Sequence, residues 1–564
     1  MENKEYMLID GNPVEINGEK NLLEVIRKAG IELPTFCYHS ELSVYGACRM
    51  CMVENSHGGM EAACSTVPKA GMEIYTNTER LHKHRKMILE LLLANHCRDC
   101  TTCQKNGKCR LQELASLFGL ESIRFKNLKP EPELDTSSLS IIRDAHKCIL
   151  CGDCVRMCNE IQNVGAIDFV NRGSKMVIGP AFNEPIANSP CVGCGQCAAV
   201  CPTGAIVIRK DTGRVWPELN DKNTKVVAQV APAVRVAMAK EFGLPENENS
   251  MGRITAALRR LGFDEVYDTA TGADLTVLEE SNEFLQRIEA GENLPLITSC
   301  CPAWIQYCEK NHPELMKNIS TCKSPMQMFS SVIKAKYATS SRRVVCVAVM
   351  PCTAKKFERA REEFMHDGVP ETDYVITTQE LIQMIHKAGI VFEELEPEAV
   401  DSVFSTCTGA GVIFGVTGGV TEAVLRRLST DKSNKALMSI AFNDVRGMKG
   451  VKETTIPYGD KEVRIAIVSG LKNAESVIQA LKNGEHFDFI EVMACPGGCV
   501  AGGGQPFGTN ATKEVRGKAL YSADKMLSIK RSEENPLMLS LYDGVLKGRV
   551  HELLHVHYNH KEEE

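Results

Sequence analysis

Three stretches in the second half of the chain decide the fold: LPLITSCCP at 294–302, CVAVMPC at 346–352 and FIEVMACPGGC at 489–499. Each is an apolar run typical of a buried parallel strand, and each ends directly in a cysteine loop. With TKVVAQVAP at 224–232 and VRIAIVSG at 463–470 they alternate with amphipathic helical stretches, which predicts an α/β domain. Groups at the carboxyl ends of parallel strands converge on one crevice, so we expect these cysteines to meet.

The bulk composition indicates a multidomain globular protein. The chain has 564 residues, of which 43% are hydrophobic and 24% charged, so it is too long for one core. Its net charge of -7 predicts no nucleic-acid partner. The N-terminal sequence MENKEYMLID has no signal-peptide pattern, and no run of about 18 apolar residues occurs. We therefore expect a cytoplasmic protein with no membrane partner.

Cysteine is the unusual residue of this composition. There are 25 cysteines, an odd number, and in a reducing compartment metal binding is a better explanation than disulfides. Sixteen lie between Cys37 and Cys201 and nine between Cys300 and Cys499, with a boundary near residues 211–225. The chain therefore has a cysteine-dense front and a cysteine-sparse back.

The front divides further by pattern. Residues 5–80 predict a small β-rich domain with one helix, residues 81–122 look helical, and LKPEPELDTSS at 128–138 is typical of a linker. Residues 140–212 contain a duplicated cysteine motif. The predicted domains are 1–80, 81–128, 138–212 and 222–564, the last with a C-terminal segment at 515–564.

The duplicated motif is specific. Each copy follows C-x2-C-x2-C-x3-C, the pattern of two-cluster ferredoxins, in which the fourth cysteine of each run binds the other 4Fe-4S cluster. The predicted ligand sets are Cys148, Cys151, Cys154 with Cys201, and Cys191, Cys194, Cys197 with Cys158. Asn159 stands where proline is usual, so we expect a local change of turn there. Structural zinc is the alternative, but it requires only the C-x2-C pairs.

Two further sets precede this motif: Cys37, Cys48, Cys51 and Cys64, and then His96, Cys100, Cys103 and Cys109. The first set lacks the plant ferredoxin spacing, and a zinc ribbon is its alternative. It resembles the 2Fe-2S domain of FeFe hydrogenases and of the large iron-sulfur subunit of respiratory complex I. The second resembles the 4Fe-4S site with one histidine ligand in the same two families. Cys97 would be a spare thiol.

The back half distinguishes these families. TSCCPAW at 298–304, MPCTAKKFE at 350–358 and EVMACPGGC at 491–499 resemble the three signature stretches of FeFe hydrogenases, in the same order. The resemblance implies an H-cluster, in which a 4Fe-4S cluster is bridged by Cys499 to a diiron subsite with carbonyl, cyanide and dithiolate ligands. It also implies the ligands of that 4Fe-4S cluster, which are Cys301, Cys352, Cys495 and Cys499.

Proton chemistry at such a site requires a donor within about 3 Å. Neighbouring residues of an extended loop point in different directions, so Cys301 can bind iron while Cys300, with a reference pKa of about 8.5, faces the diiron subsite. The proton path of the family corresponds here to Glu280, Ser320 and Glu283, with Arg287 near its mouth.

The resemblance also implies the wall of the site. Lys355 matches a lysine that interacts with a cyanide, and the apolar and backbone wall corresponds to Met350, Met493, Phe414, Ala231 and Pro232. Ala233 and Met326 stand where some members have serine and glutamine. Four other cysteines have no partner spacing and are expected to be small buried apolar residues: Cys308, Cys322, Cys346 and Cys407.

Two motifs imitate other functions. HELLH at 551–555 fits a zinc-protease pattern but has no HxxGxxH continuation, and it lies in a segment that resembles the small-subunit module of FeFe hydrogenases. GAGVIFG at 409–415 imitates a dinucleotide loop, but Phe414 occupies the place of the third glycine. We predict neither a zinc site nor an NAD site.

Taken together, the expected fold is multidomain α+β and α/β: a β-grasp-like 2Fe-2S ferredoxin domain, a small helical 4Fe-4S domain, a two-cluster ferredoxin domain and a large α/β catalytic domain with parallel sheets flanked by helices. The resemblance implies a monomeric iron-only hydrogenase with one 2Fe-2S cluster, three accessory 4Fe-4S clusters and the H-cluster. It also implies protons and dihydrogen as substrates, a soluble ferredoxin or flavodoxin as electron partner, and hydrogenase maturation proteins.

Three alternatives remain at this point. The chain could be an iron-sulfur assembly protein, but Cys300, Lys355, Met350 and Met493 argue against that role. It could be an electron-transfer subunit like that of complex I, which the three back-half stretches disfavour. A hydrogen sensor is the third alternative, although no sensor domain is visible and Cys300 is present.

Overall fold

The first strands of the chain form a five-stranded mixed sheet with one helix. The computed structural model describes residues 5–127, 133–429, 445–458 and 461–558, so the predicted edges at 1–4, 128 and 559–564 lie outside it. Strand β1 pairs in parallel with β5 and the other pairs are antiparallel, in the order β2-β1-β5-β3-β4. The elements are β1 Glu5–Ile9, β2 Asn12–Ile16, α1 Leu22–Lys28, β3 Met52–Asn55, β4 Met60–Ala62 and β5 Glu73–Tyr75.

Two helices and a loop follow. Helix α2 is Glu79–Ala94, and its N-cap Thr78 accepts a hydrogen bond from the Leu81 N–H; helix α3 is Arg110–Leu117. The predicted helical region is therefore interrupted, because residues 95–109 form a loop with a single 3-10 turn at Cys100–Thr102. Gly107 has φ of 75° in this loop, a conformation that favours glycine.

The duplicated cysteine motif folds into paired strands and short helices. Strand β6 pairs with β9 and β7 with β8, all antiparallel. The first motif ends in a π-helical turn at Met157–Ile161, which contains Asn159, so the predicted local change of turn is confirmed. The elements are β6 Ile141–Arg143, α4 Asp153–Arg156, β7 Asp168–Val170, β8 Val177–Gly179, α5 Gln196–Val200 and β9 Ile206–Ile208.

The predicted strands of the back half form two four-stranded sheets. The first is parallel throughout in the order β11-β10-β13-β16, and the second, β12-β19-β18-β17, is parallel except for its β17–β18 edge. A small hairpin pairs β14 with β15. The strands are β10 Thr224–Val230, β11 Glu265–Asp268, β12 Leu296–Ile297, β13 Arg343–Met350, β14 Met365–His366, β15 Val369–Pro370, β16 Tyr374–Thr377, β17 Val451–Tyr458, β18 Lys461–Ser469 and β19 Phe489–Met493.

Helices pack on these sheets, as the alternating pattern predicts. Their apolar faces bury residues such as Ile254, Leu275 and Phe329 against the strands. The helices are α6 Thr212–Asn220, α7 Met251–Arg260, α8 Ala270–Ala290, α9 Pro302–Asn311, α10 Pro325–Lys336, α11 Ala354–Glu358, α12 Thr378–Lys387, α13 Gly409–Val412, α14 Gly419–Leu428, α15 Leu471–Lys482, α16 Asn510–Met526, α17 Pro536–Asp543 and α18 Val550–Leu554.

The fold expected from the sequence is confirmed: ferredoxin-like domains precede an α/β domain with parallel sheets. Strands β12, β13 and β19 each run directly into a cysteine loop. Among the described helices, none combines the length and the apolar character required to cross a bilayer.

Candidate active site

The cysteine loops of the two parallel sheets meet around one cavity. Cys301 is the N-cap of α9, Cys352 follows β13, and Cys495 and Cys499 follow β19. All four line the cavity. Burial and then the charges of the other three thiols raise the pKa of Cys495 well above its ordinary value, so the four sulfurs lie within electrostatic reach of one another.

The turn between the last two cysteines depends on glycine. Gly497 and Gly498 have φ of 90° and 92°, in the region that side chains rarely adopt. A Cβ on Gly498 would also lie 2.5 Å from the Thr417 nitrogen. The CPGGC loop can therefore wrap closely around the cavity, which brings Cys495 and Cys499 to the same wall.

Cys300 lines the same cavity beside Cys301. Burial, and then the negative charge of Glu280, raise the pKa of its thiol well above the ordinary value. Lys355 also lines the cavity, donates to the Cys300 carbonyl at 3.3 Å, and pairs with Glu358 at 2.7 Å. Burial lowers the pKa of Lys355, but the charge and hydrogen bond of Glu358, together with the charges of Cys352 and Cys300, outweigh it and the pKa is raised, so the ammonium stays charged.

The predicted proton-path residues lie on α8 and on the loop before α10. The Ser320 hydroxyl donates to Glu283 at 2.8 Å, and Arg287 donates to the same carboxylate at 2.6 Å. Glu280 is fully buried, and its carboxylate has no hydrogen-bond partner in the part of the chain that the structure describes. Burial and the charge of Glu283 raise the pKa of Glu280 to about 8. The charge of Glu283 therefore acts on Glu280, and the charge of Glu280 acts on the Cys300 thiol.

The predicted wall residues surround the same space. Met350, Met493, Phe414, Ala231 and Pro232 all line the cavity, as do the two departures Ala233 and Met326. Sequence reasoning missed further lining residues, because small side chains between motifs have no pattern of their own: Thr269, Ala273, Pro325 and Gly415.

Glu491 was also missed, although it lies inside the third signature stretch. Its carboxylate is fully buried and accepts from the Gly418 N–H at 2.7 Å and from the Thr421 N–H and hydroxyl at 2.8 Å. These donors lie at the start of α14, where a carboxylate is favourable to the helix dipole. Glu491 therefore fixes α14 against the strand that carries the cysteine loop.

The duplicated motif encloses two separate cavities. One is lined by Cys148, Cys151, Cys154 and Cys201, and the other by Cys158, Cys191, Cys194 and Cys197. Each cavity combines three cysteines of one run with the fourth cysteine of the other. This exchange is the one that the two-cluster ferredoxin pattern predicts.

Within each of the two N-terminal sets, the cysteines lie close enough to shift one another's pKa. Cys37 and Cys48 form one hydrogen-bonded pair, which lowers the pKa of Cys48 to about 6, and Cys51 and Cys64 form another. In the His96 set, burial and the charges of Cys103 and Cys100 raise the pKa of Cys109. His96 is buried, and its Nδ1 accepts from the Arg98 N–H at 3.1 Å.

A single metal ion does not fit these groups. Sulfurs that share one zinc ion each lie about 2.3 Å from it. Within residues 5–127, 133–429, 445–458 and 461–558, no three Cys, His, Asp or Glu side chains are close enough to hold one ion.

Adjacent sites touch through short contacts. The Arg110 N–H donates to the Pro202 carbonyl at 3.1 Å, and Arg156 donates to the Cys37 carbonyl at 2.9 Å. Gln196, between Cys194 and Cys197, donates to Cys495 Sγ at 3.2 Å and to the Ala501 carbonyl at 2.9 Å. These hydrogen bonds connect the front sites to one another and to the cavity between the two parallel sheets.

The HELLH and GAGVIFG motifs are both packed against other parts of the chain. His555 contacts Glu279 at 3.0 Å and Thr321 at 2.9 Å, which anchors the C-terminal segment on α8. Gly411 packs so closely that a Cβ would lie 2.4 Å from the Ala270 carbonyl. Of the four remaining cysteines, Cys308 and Cys346 are buried as expected.

Cys322 and Cys407 have polar neighbours that the sequence did not indicate. The thiol of buried Cys322 lies 3.8 Å from the Glu283 carboxylate. Cys407 is only half-buried, and its thiol lies 3.7 Å from the Asp268 carboxylate.

Models of known protein families match five regions of the chain. The iron only hydrogenase large subunit, C-terminal domain, matches residues 224–503, and the iron hydrogenase small subunit matches 510–561. In the front, a 2Fe-2S iron-sulfur cluster binding domain matches 6–79 and a 4Fe-4S dicluster domain matches 147–209. The iron-sulfur binding region of NADH-ubiquinone oxidoreductase G matches 85–124.

Three individual proteins are also similar to this chain. The chain is 41% identical to the NADP-reducing hydrogenase subunit HndD of Solidesulfovibrio fructosivorans and 35% identical to iron hydrogenase 1 of Clostridium pasteurianum, covering 98% of this chain in both cases and 98% and 99% of the relatives. A solved FeFe-hydrogenase from Chlamydomonas reinhardtii is 36% identical, with a TM-score of 0.54, over 62% of this chain and 98% of that one. The chain belongs to the iron-only hydrogenase family, and its domains bind iron-sulfur clusters.

Proposed function

We propose that this chain catalyses the reversible reduction of protons to dihydrogen in the cavity between the two parallel sheets. The observation that carries the proposal is the lining of that cavity: Cys301, Cys352, Cys495 and Cys499 lie together, with Cys300 and Lys355 facing the same space. In the family this donor set holds the H-cluster. When bound, that group supplies the metal position at which protons and electrons combine.

The proton-handling residues have matched environments. Cys300 remains a thiol at neutral pH because burial raises its pKa, so it can donate a proton to the cavity. Glu280, with a pKa of about 8, is protonated at neutral pH and can restore that proton. Ser320, Glu283 and Arg287 then form a hydrogen-bonded route toward the surface.

The wall residues control the medium around these groups. Met350, Met493 and Phe414 present apolar surface, which limits water and strengthens electrostatic interactions. The charged ammonium of Lys355 favours anionic ligands at its end of the cavity. Ala231 and Pro232 bring backbone close to the same space.

We infer that electrons arrive through one 2Fe-2S cluster and three accessory 4Fe-4S clusters in the front domains. The ligand sets are those predicted from the sequence: the Cys37 set, the His96 set and the two exchanged ferredoxin sets. The proposed division into 1–80, 81–128, 138–212 and 222–564 assigns one cluster to each of the first two domains and two clusters to the third. The contacts Arg110–Pro202, Arg156–Cys37 and Gln196–Cys495 support the connection of these domains to one another and to the cavity.

The proposed electron partner is a soluble ferredoxin or flavodoxin. We propose that the protein is a cytoplasmic monomer and that maturation proteins insert its diiron subsite. A second candidate follows from the relative named as a subunit of an NADP-reducing hydrogenase. In that case a partner subunit would pass electrons to NADP, since GAGVIFG packs against α8 instead of opening to a nucleotide.

Reduced methyl viologen tests the proposed function directly. Anaerobically matured protein is expected to evolve dihydrogen from this reductant, which requires no particular protein partner. Full loading of the 4Fe-4S sites without dihydrogen evolution would contradict the proposal and favour the assembly-protein alternative.

A further inference from the structure

A basic groove lies where the His96 loop, the two-cluster domain and helix α12 meet. It has a volume of about 510 Å³. Its chemistry is set by six of the residues that line it: Cys103, Lys105, Lys210, His386, Lys387 and Phe507. The groove is separate from the catalytic cavity, and neither the sequence motifs nor the proton path account for its composition.

The positive charge of the groove is not neutralised by its own carboxylates. Lys105, Lys210 and Lys387 form no ion pair in the part of the chain that the structure describes. Of the lining carboxylates, Glu241 pairs with Lys108 at 2.6 Å and Glu380 with buried Lys356 at 3.0 Å. Burial lowers the pKa of Lys210, and the charge of Lys387 adds to this effect while the charge of Glu380 opposes it.

The floor of the groove belongs to two cluster loops. Cys103 is one of the proposed ligands of the His96 site, and Ala198 and Ala199 lie on α5 between the ligands Cys197 and Cys201. A molecule in the groove would therefore lie against two proposed redox sites at once. At the rim, Phe507 is 58% exposed, and aromatic side chains are enriched at protein interfaces.

We propose that this groove is the docking site of an acidic electron-carrier protein, whose carboxylates contact Lys105, Lys210 and Lys387. The electron flow rests on the proposed function, whereas the binding does not. Each docking event transfers one electron from the reduced carrier to the front clusters, and the carrier leaves oxidised. Two events supply the two electrons that leave with two protons as dihydrogen.

A protein fits these observations better than a small anion does. The three lysines are contributed by three different parts of the chain, so their charge is spread over a wide concave surface. The exposed ring of Phe507 adds apolar surface at the rim, which a phosphate group would not use. Electrostatic attraction of this kind raises association rates by about 10- to 1,000-fold and weakens with salt.

The test compares two triple variants of the matured full-length protein. In the first, Lys105, Lys210 and Lys387 are changed to Glu. In the matched control, three exposed lysines that do not line the groove, Lys222, Lys336 and Lys525, are changed to Glu, so the net charge is the same. Dihydrogen evolution is measured with a reduced acidic two-cluster ferredoxin and with reduced methyl viologen, at low and high salt.

The groove variant is expected to raise the KM for ferredoxin at least about tenfold relative to the control variant, with the difference shrinking at high salt. Equal ferredoxin KM values in both variants would overturn the proposal. A triple Gln variant with an intermediate KM shows that charge, and not misfolding, causes the effect.

A direct binding measurement distinguishes the docking proposal from the hydrogenase proposal. Calorimetric titration with oxidised ferredoxin measures Kd without any turnover, and the same shift is expected there. Failure of viologen-driven evolution with the Kd shift intact would contradict only the hydrogenase proposal. Saturable binding of NADPH in the groove, with no ferredoxin binding, would overturn the docking proposal.

Discussion

The front cluster sites and the catalytic cavity are built in opposite ways. In the front, three of the four proposed ligands of each ferredoxin site come from one short run, such as Cys148, Cys151 and Cys154. In the back, the ligands come from loops after three different elements, and the Ala494 N–H reaches Cys301 Sγ at 3.4 Å across 193 positions of the chain. Local spacing is sufficient for the relay, whereas the catalytic set requires the folded sheets.

The largest expected effect separates ligand thiols from the proton donor. Cys300→Ala should lower dihydrogen evolution about 10²- to 10⁴-fold, because the cavity loses its acid, while the iron content stays unchanged. Cys346→Ala, which removes a buried thiol from strand β13, is the matched control. Full activity of Cys300→Ala with viologen would remove the proton-donor assignment.

Glu280 tests whether the cavity depends on a buried acid. Glu280→Gln should lower the rate about 100-fold. In the wild type, evolution should fall as pH rises through about 8, because the carboxyl then loses its proton. The variant should lack that fall. The control is Glu279→Gln, because Glu279 is bonded to His555 and has a lowered pKa.

The free energy of unfolding should depend on pH through the same titration of Glu280. Between the ordinary pKa of 4.5 and about 8, the folded state holds a proton on Glu280 that the unfolded state has lost. Stability from this group is therefore lost as pH rises through that window. Glu280→Gln should flatten the slope of urea midpoint against pH, and an unchanged slope would contradict the raised pKa.

A smaller effect is expected where the two regions touch. A Cβ on Gly503 would lie 2.4 Å from the Cys194 carbonyl, so Gly503→Ala should lower the free energy of unfolding by about 1–3 kcal/mol. Gly213→Ala is the control, because open space surrounds this position in α6 and alanine should stabilise the helix by roughly 0.5 kcal/mol. Urea midpoints of both variants check the difference; equal midpoints would mean that the junction is loose.

The smallest expected effect is a change in the reduction potential of one cluster. Gln196→Met removes a donor to Cys495 Sγ, and fewer hydrogen bonds to a cluster sulfur make its reduction less favourable. The reduction potential of the catalytic 4Fe-4S cluster should therefore fall. Redox titration followed by electron paramagnetic resonance measures it, with Gln379→Met, whose amide donates to the Gln505 carbonyl, as the control. A potential equal to that of the control would assign Gln196 a packing role only.

More of the front cluster sites than of the back-half cavity could be predicted from the sequence. The exchanged ferredoxin sets and the unusual turn at Asn159 follow from spacing, because their ligands are local. The catalytic set followed from three motifs placed after strands. Gln196 and Glu491 could not be predicted, because their roles depend on partners 299 and 73 positions away. The groove likewise depends on three parts of the chain that meet only in the fold.

Infrared spectroscopy of the anaerobically matured protein tests whether the four-cysteine cavity holds the diiron group. Carbonyl and cyanide bands are expected, because the cavity with Cys300 and Lys355 is the proposed site of that group. Cys499→Ser should weaken or remove these bands while the front clusters stay loaded. Matured protein with all 4Fe-4S clusters present and no carbonyl or cyanide bands would contradict the account.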